Sequence, residues 1–416
     1  MSLLIKNTVI YDLKRDLLIS DGRITKIEQN INDQVDRIID ADGKFLVPSL
    51  KNGHTHAAMS PLRGYGDDMK LQPWLEEKIW PAEARLSQED IYWGTRFAAL
   101  EMIKSGTTFC NDMYHSLGIS QTAFIDSGIK SASGPACFDF FDTARAEKMK
   151  RECISTLEDF TVTQNNTICI AVHSIYTVSR ESLKWIAELA VSKNLPVQIH
   201  LSETEKEVKD CIAKYGIRPT ELLKQTGLLN TNLIAAHVAW LDENEMDLLA
   251  EHNVTVVHNP ASNMKLATGG VFPFSKIKEK GINIMLGTDS CASNNNLDMF
   301  EEMKIATLLQ KFHNNDPEIM KAEDIYNIAT GKETSIFHQL SSEIKVGVFA
   351  DCLLLDQDNL DLIPSHNLIS NLVYSANGSC VDTVICDGKI IMENRKVKDA
   401  DEIIDHIRSI AKKIIV

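Results

Sequence analysis

The stretch FLVPSLKNGHTH, residues 45–56, joins a short apolar run to two histidines that are two positions apart. The run Phe45–Leu50 predicts a buried strand, and residues two apart along a strand point to the same face. His54 and His56 can therefore direct their imidazole rings at one point, which is the arrangement that a divalent metal needs. An H-x-H pair alone is a weak indication, so its meaning depends on what the later strands carry at their ends.

Seven further apolar runs follow, and segments with helical spacing separate them. Several of these runs are almost continuously apolar, which is typical of parallel strands covered on both faces. Strand–helix alternation repeated eight times predicts an α/β fold, a (β/α)8 TIM-type barrel. The predicted strands are Phe45–Leu50, Thr107–Asp112, Lys130–Cys137, Ile168–Ser174, Pro196–Ser202, Leu233–Ala239, Val254–Pro260 and Ile282–Ser290. The predicted helices include Asp90–Ser105, Arg180–Lys193, Glu205–Gln225 and Asp242–His252.

The two ends of the chain have a different pattern from the middle. Asp21-Gly22 and Asp387-Gly388 each lie between alternating apolar segments, which is a strong signal for a β-hairpin. The similarity of ISDGRI to ICDGKI suggests that the two ends pair with each other. We therefore expect a small composite β-sandwich domain of residues 1–46 and 346–416, beside a metal-dependent catalytic barrel of residues 47–345.

Composition excludes several classes of protein. The 416 residues are 44% hydrophobic and 24% charged, as in ordinary globular proteins. The net charge of −15 argues against nucleic acid as the main partner, and no apolar run approaches the roughly 18 residues of a membrane helix. Nine scattered cysteines without a C-x-x-C pair favour a reduced, cytoplasmic protein and exclude the cysteine-liganded zinc deaminase signature. A small molecule is the expected partner, and the oligomeric state, including a homo-oligomer, stays open.

Catalytic groups of a (β/α)8 barrel stand at the carboxyl ends of its strands. The predicted ends carry His54 and His56, His173, His200 with Glu203, His237, His258, and Asp289. The simplest site is one metal held by His54, His56, His200 and Asp289, with a water in the remaining position. Imidazole nitrogens and a carboxylate oxygen suit zinc, and iron(II) is also allowed.

Three of these side chains have expected roles in proton transfer. A bound metal lowers the pKa of its water to about 7, and Asp289 would accept a hydrogen bond or proton from that water. Glu203 lies three residues past His200 and can reach the substrate as a proton shuttle. His237 could orient the hydroxide or stabilise a tetrahedral intermediate. The structural alternative for Asp289 is a helix N-cap.

Five segments carry a resemblance to a known family: NGHTHAAMSPLRGYGDDMKLQPWLEEKIWPAE, VQIHLSETEKEV, LIAAHVAWL, VVHNPASNMKLATG and LGTDSCASNNNLDMF. The chain resembles the amidohydrolase superfamily over nearly its whole length, and most of all its 5-methylthioadenosine/S-adenosylhomocysteine deaminases and their chlorohydrolase-like neighbours. The resemblance implies metal-dependent hydrolytic deamination of an adenosine-type nucleoside. The substrate would be 5′-methylthioadenosine, S-adenosylhomocysteine, 5′-deoxyadenosine or adenosine, and the products an inosine-type nucleoside and ammonia.

The resemblance also implies substrate contacts outside the metal site. Glu83, in the PAE stretch, would bind the ribose hydroxyls, because two carboxylate oxygens can accept from a vicinal diol; the alternative is a helix-start glutamate. His173 resembles a second substrate contact. Two-metal relatives place a lysine at that strand end, so a single metal is expected here. Residues 57–85 follow the first predicted strand and could cover the site. Trp74, within this segment, is expected either to touch substrate or to pack the loop.

The region after the third strand, SGPACFDFFDTARAEK, departs from the family pattern. Relatives that take S-adenosylhomocysteine use arginines there to meet the amino-acid carboxylate. This strand end offers no arginine; Arg145 could serve, whereas Phe138, Phe140 and Phe141 make the region apolar. We therefore expect a preference for neutral 5′ substituents.

Two alternatives remain open. The same machinery could act on a free base or a triazine, such as guanine, cytosine or a chlorinated triazine. Glu83 distinguishes a nucleoside substrate from a free base or triazine, because only the nucleoside has a ribose diol for the carboxylate to bind. A non-catalytic structural protein on the same barrel is the alternative of another class, which metal analysis would test.

Overall fold

The computed structural model describes residues 2–160, 162–163 and 165–415. The strands near the N-terminus are β1 (Ser2–Ile10), β2 (Leu13–Ser20), β3 (Arg23–Glu28), β4 (Arg37–Asp40) and β5 (Lys44–Pro48). The central strands are β6 (Leu50–Thr55), β7 (Thr107–Tyr114), β8 (Lys130–Cys137), β9 (Asn166–Ile168), β10 (Ile170–Ser174), β11 (Pro196–Leu201), β12 (Asn232–His237), β13 (Thr255–His258) and β14 (Asn283–Leu286). The strands near the C-terminus are β15 (Cys352–Asp356), β16 (Val381–Cys386) and β17 (Lys389–Met392).

The central strands form the predicted barrel. They pair in parallel in the order β14-β13-β12-β11-β10-β8-β7-β6, with β9 beside β8. A parallel bridge between Thr55 and Asp289 brings the first and last strands together, so the barrel is nearly closed. The longer helices that follow or connect these strands are Gln88–Lys104, Leu117–Ser127, Thr143–Asp159, Arg180–Lys193, Glu205–Tyr215, Pro219–Thr226, Glu243–Glu251, Met299–Asn314 and Ala322–Ala329. The predicted (β/α)8 architecture is confirmed.

Strands from both chain ends form one mixed sheet with its own buried core. Its order is β17-β16-β15-β5-β1-β2-β3, with β4 paired to β1. Both predicted hairpins are present: Asp21-Gly22 and Asp387-Gly388 have positive φ at each residue, as the tight hairpin turn requires. The two turns touch, since a Cβ on Gly388 would lie 2.8 Å from the Cα of Gly22. The two chain ends therefore pair with each other, as the similar hairpins suggested.

The prediction of Phe45–Leu50 as the first barrel strand is wrong. Lys44–Pro48 pairs antiparallel with β15 in the small sheet, and the barrel strand is Leu50–Thr55. Both strands are largely buried, so the apolar run continues from the core of the small sheet into the core of the barrel. Its hydrophobic pattern does not mark the point where one sheet ends and the other begins. The predicted domain limits at residues 46 and 346 stay a prediction, although β5 crosses the first of them.

The predicted helix Glu205–Gln225 is two helices, Glu205–Tyr215 and Pro219–Thr226. Gly216 ends the first with a left-handed conformation, and Pro219 starts the second, where its missing N–H costs nothing. Among the described residues, no helix is long and apolar enough to cross a membrane.

The segment after β6 is irregular and carries several predicted substrate contacts. It contains the 3-10 helix Ala57–Leu62, a short turn Leu71–Pro73, a π-helical turn Trp74–Ile79 and the short helix Trp80–Glu83. The C-terminal helix Ala400–Ile415 packs against the 3-10 helix Ala57–Leu62, and its Ile410 and Ile414 share a buried cluster with Trp74, Leu75 and Ile79. We call residues 57–85 the covering segment.

Candidate active site

Three imidazole nitrogens converge at the carboxyl end of the barrel. His200 Nε2 lies 3.1 Å from His54 Nε2 and 3.2 Å from His56 Nε2. Asp289 Oδ1 lies 3.6 Å from His54 Nε2 and 3.2 Å from His56 Nε2. Ligand atoms that share one zinc ion, each about 2.0–2.2 Å from it, lie roughly 3.0–3.6 Å apart when four or five of them surround it. The four predicted ligands therefore fit one shared divalent ion.

Backbone carbonyls fix the orientation of two of these rings. His56 Nδ1 lies 2.8 Å from the carbonyl oxygen of Met113, and His200 Nδ1 lies 2.7 Å from that of His173. A carbonyl can only accept, so each Nδ1 carries the proton and each Nε2 lone pair faces the shared point. Burial also lowers the pKa of His54 to about 4 and that of His200 well below its usual value, whereas Asp289 and the Met113 carbonyl raise the pKa of His56 despite its burial. Neutral imidazole is the form that binds metals.

Asp289 is held as a carboxylate by its neighbours. Its Oδ2 accepts hydrogen bonds from Ser262 Oγ at 2.6 Å and from Ser293 Oγ at 3.0 Å. Burial opposes ionisation, but His54 and His56 hold the pKa of Asp289 well below its usual range. The structural alternative for Asp289 fails, because Ser290 is the residue that caps the helix Cys291–Asn294.

Glu203 and His237 stand next to the four candidate ligands. Glu203 Oε1 lies 3.9 Å from His237 Nδ1, and His237 Nδ1 is 2.8 Å from Asn263 Oδ1. Burial raises the pKa of the Glu203 carboxyl, so its protonated form persists to higher pH than that of an exposed glutamate. Glu207 accepts hydrogen bonds from the backbone N–H groups of Ser202 and Glu203, both at 2.9 Å, and thereby fixes the turn that presents Glu203.

A cavity of about 460 Å³ opens above these groups. Glu203, His237 and Asp289 line it together with the predicted substrate contacts Glu83, His173 and Trp74. Other lining residues include Met59, Leu75, Ile79, Trp80, Tyr114, Phe138, Phe140 and Tyr176. The cavity is therefore apolar around a few convergent polar groups, which is typical of a site for a small organic ligand.

Comparison with known proteins decides the family. The model of the amidohydrolase family matches residues 45–391. The chain is 45% identical over 395 residues to a 5′-deoxyadenosine deaminase from Methanoregula boonei, which covers 94% of this chain and 89% of that protein. It is 42% identical to a 5-methylthioadenosine/S-adenosylhomocysteine deaminase from Archaeoglobus fulgidus, over 91% of this chain and 90% of that protein.

The chain belongs to the amidohydrolase family. A solved adenosine deaminase from Xanthomonas campestris with bound zinc superposes with a TM-score of 0.90 at 31% identity, over 100% of this chain and 98% of that one. The family resemblance predicted from the five sequence segments is thus confirmed, and so is the fold that it implied.

Within this amidohydrolase site, Glu83 and Trp74 lie on the covering segment. Glu83 is the last residue of the short helix Trp80–Glu83, which has only one turn, so its place in the helix does not decide between the two predicted roles. Burial raises the pKa of Glu83, while the neighbouring Tyr114 hydroxyl and His56 oppose this effect. Trp74 lines the cavity and belongs to the buried cluster that includes Ile410 and Ile414, so it packs the covering segment, and its contact with substrate stays a prediction.

Arg145 lies outside the lining of the main cavity. It lines a neighbouring cavity of about 290 Å³, and its guanidinium carbon is 5.4 Å from the centre of the Phe140 ring. Phe138 and Phe140 line both cavities. Aromatic side chains therefore stand between the metal-side cavity and this arginine, and the substrate contact assigned to Arg145 stays a prediction.

Sequence reasoning missed the residues that hold the catalytic groups in place. Ser262 and Asn263 support Asp289 and His237, and both lie in the quoted segment VVHNPASNMKLATG. Ser293 lies in LGTDSCASNNNLDMF. Their membership in those segments was the available signal. Tyr114 and Tyr176 line the cavity, but no sequence signal marked them, because a tyrosine at or just after a strand end is as often part of the packing.

Proposed function

We propose that this chain deaminates adenosine-type nucleosides by hydrolysis and that it prefers those with an uncharged 5′ substituent. The observation that carries the proposal is that one cavity is lined by three of the four candidate ligands, by the Glu203–His237 pair and by Glu83, with the fourth ligand, His54, within 3.6 Å of His200 and Asp289. The deaminases named above act on 5′-deoxyadenosine, 5-methylthioadenosine and S-adenosylhomocysteine, and the chain matches them over more than nine-tenths of its length.

The residues fit a single metal ion, and zinc is the ion we propose. His54, His56, His200 and Asp289 would hold it; three imidazoles and one carboxylate are a usual zinc donor set, and the solved Xanthomonas relative contains zinc. When bound, the ion would lower the pKa of a coordinated water toward neutrality. His173 stands at the end of β10 where two-metal relatives have a lysine, which supports one ion over two.

The protein's own side chains then have separate tasks. Glu203, whose pKa is raised by burial, carries a proton to the ring nitrogen next to the carbon that bears the amino group. His237 directs Nδ1 at the Oδ1 atom of Asn263, which can only accept, so Nε2 is left to accept a hydrogen bond from the attacking water and orient it. Asp289 accepts a proton from the attacking water. As the C–N bond breaks, Asp289 returns that proton to the departing amino group, and Glu203 takes up the hydroxyl proton as the new carbonyl forms, so that adenosine and water give inosine and ammonia.

Glu83 is the proposed ribose contact. Its carboxylate lies on the cavity lining in reach of a ligand, and a vicinal diol can donate one hydrogen bond to each oxygen. A free base or triazine offers no such diol, so the position of Glu83 favours the nucleoside over these alternatives.

The 5′ substituent would meet Phe138 and Phe140 rather than a cation. Both rings line the main cavity, whereas Arg145 lines the next one. An apolar contact favours a methyl or methylthio group, because a charged amino-acid tail would lose hydration there without gaining a partner.

A substrate panel tests the proposal. Ammonia release should be followed for adenosine, 5′-deoxyadenosine, 5′-methylthioadenosine, S-adenosylhomocysteine, guanine, cytosine and a chlorinated triazine. We expect the nucleosides to exceed the free bases in kcat/KM, and 5′-methylthioadenosine and 5′-deoxyadenosine to exceed S-adenosylhomocysteine. Faster turnover of guanine or triazine would overturn the nucleoside assignment. Preference for S-adenosylhomocysteine would overturn only the 5′ assignment.

A reduced cytoplasmic setting is part of the same proposal. All nine cysteines are buried and unpaired by disulfides, as a reducing compartment allows. The proposed partner is the nucleoside, and size measurement in solution would test whether the chain forms a homo-oligomer.

A further inference from the structure

The loop after β8 holds two phenylalanines in an unusual backbone conformation. Phe140 has φ of 50° and Phe141 has φ of 61°, both in the left-handed region. Bulky side chains seldom adopt this region, and where they do the surrounding structure must hold them there. Phe140 lines the substrate cavity, so this strained pair lies where the substrate's 5′ side is proposed to bind.

A buried carboxylate holds the strained pair. Asp139 is fully buried, and its Oδ1 accepts hydrogen bonds from the backbone N–H of Phe141 at 2.8 Å and from that of Ser179 at 3.0 Å. Its Oδ2 accepts from Ser179 Oγ at 2.5 Å. The backbone N–H groups of Asp139 and Phe140 both donate to the carbonyl of Thr177, at 3.0 and 2.9 Å. The loop is thus fastened to the turn at residues 174–179.

The same turn fixes a predicted substrate contact. Thr177 Oγ1 lies 2.8 Å from Nδ1 of His173. The carbonyl of His173 in turn accepts from Nδ1 of His200, a candidate metal ligand. One set of hydrogen bonds therefore runs from the strained loop, through the turn, to the metal side of the cavity.

Phe140 completes an aromatic wall with two other side chains. Its ring meets Trp80 edge to face at 5.8 Å and Phe138 at 5.4 Å between centroids. All three line the main cavity. We use the name aromatic wall for Trp80, Phe138 and Phe140, which come from the covering segment and from the loop after β8. A left-handed Phe140 is what brings the two segments into contact.

We propose that Asp139 is a positioning residue that sets the selectivity of this site for the 5′ substituent, by fixing the aromatic wall through Phe140 and Phe141. The inference rests on the proposed function, because it needs the nucleoside's 5′ carbon to face that wall. Asp139 touches no substrate itself. Without its carboxylate, the N–H of Phe141 loses its acceptor and the loop relaxes toward ordinary φ values, which withdraws Phe140 from the wall.

The test compares two substrates that differ only at the 5′ carbon. 5′-Deoxyadenosine has a methyl group where adenosine has a hydroxymethyl group. We expect Asp139→Ala to lower the ratio of kcat/KM for 5′-deoxyadenosine over adenosine by about fivefold or more, the scale at which an apolar pocket senses one small group. Asp139→Asn keeps an acceptor and most of the volume, so it should restore part of the ratio.

Asp142→Ala is the matched control. Asp142 lies in the same loop, and its side chain caps the helix Thr143–Asp159 by accepting from the N–H of Arg145 at 2.8 Å. Its loss destabilises the region without touching the left-handed pair, so the substrate ratio should stay at the wild-type value. Metal content and the midpoint of thermal unfolding would be measured for each variant, so that only folded protein with bound metal is compared.

The outcomes separate the two proposals. An unchanged ratio in active Asp139→Ala, or an equal change in Asp142→Ala, overturns the positioning role and leaves the deaminase function standing. If Asp139→Ala fails to fold, Asp139→Leu takes its place, because leucine keeps the volume of the side chain but offers no acceptor to the N–H of Phe141; an unchanged ratio in that variant has the same consequence. A wild-type protein that deaminates neither nucleoside overturns the proposed function, and the inference with it.

Discussion

The floor of the cavity and its cover are built from different kinds of structure. The floor consists of strand ends, where His56 and His200 each point an Nδ1 at a backbone carbonyl. The cover consists of the covering segment and the loop after β8, which contain a π-helical turn and left-handed phenylalanines. π-Helical turns and strained residues occur often at functional sites. Positive φ is not confined to the cover, since His237 and Asp289 on the floor have φ of 74° and 59°. What differs is the regular backbone on either side, and we propose that the barrel fixes the chemistry while the less regular cover selects the substrate.

Metal removal is the strongest way to test the floor. We expect prolonged treatment with a chelator to reduce ammonia release from adenosine by at least about 10³-fold, because the nucleophile then loses its activation. Zinc added back should restore it. Metal content per chain, measured alongside, should fall to near zero and return to about one. Full activity in metal-free protein would mean that the cluster of three histidines and Asp289 is not the catalytic centre.

Glu203→Gln tests the floor at the level of proton transfer. The amide cannot shuttle a proton, so we expect kcat to fall by about 10²-fold or more while the metal stays bound. Glu205→Gln is the matched control: Glu205 lies two residues on and makes a surface ion pair with Lys209. Near wild-type kcat in Glu203→Gln would remove Glu203 from the mechanism. Asp289→Asn should lower kcat by a similar factor, and it should also weaken metal binding.

Glu83→Gln tests the cover. Replacing the carboxylate weakens hydrogen bonds to the ribose diol, so we expect KM for adenosine to rise by about tenfold with a smaller change in kcat. 2′,3′-Dideoxyadenosine supplies the control because it has no diol. The substitution should leave its KM unchanged. An equal effect on both substrates would show that Glu83 acts on the site in general and not on the ribose.

The contrast between floor and cover also explains what could be read from the sequence. His54, His56, His200 and Asp289 were found because strand periodicity and strand ends determine where side chains point. The first strand was misplaced because Phe45–Leu50 is apolar in both the small sheet and the barrel, and no pattern marks the crossing. The family resemblance supplied Glu83, which spacing alone did not distinguish from a surface glutamate.

The left-handed loop could not be predicted in the same way. Phenylalanine has no preference for positive φ, so no residue type announces the strain at Phe140 and Phe141. Their anchor Asp139 depends on Ser179, which lies 40 positions away in the chain. Such a contact exists only once β8 and β10 stand side by side. Selectivity determinants of this kind depend on tertiary structure rather than on local pattern.

The smallest expected effect concerns the outer support of the cover. Ile410 is buried in the same cluster as Trp74 and Ile79, and these two residues also line the cavity. Ile410→Ala would leave a void of a few methyl groups, at a cost of about 2–4 kcal/mol in unfolding free energy. We expect KM for adenosine to rise about threefold with kcat nearly unchanged, because the covering segment loses packing on the side away from the substrate.

Ile403→Ala separates this effect from simple destabilisation. Ile403 is equally buried on the same C-terminal helix but lies outside the cluster that contains Trp74. The two substitutions should lower the thermal midpoint by similar amounts, and only the change at Ile410 should raise KM. If both variants raise KM alike, the cover depends on the helix as a whole. If neither does, the covering segment holds its shape by its own packing, and the cover would then be more like the floor than its irregular backbone indicates.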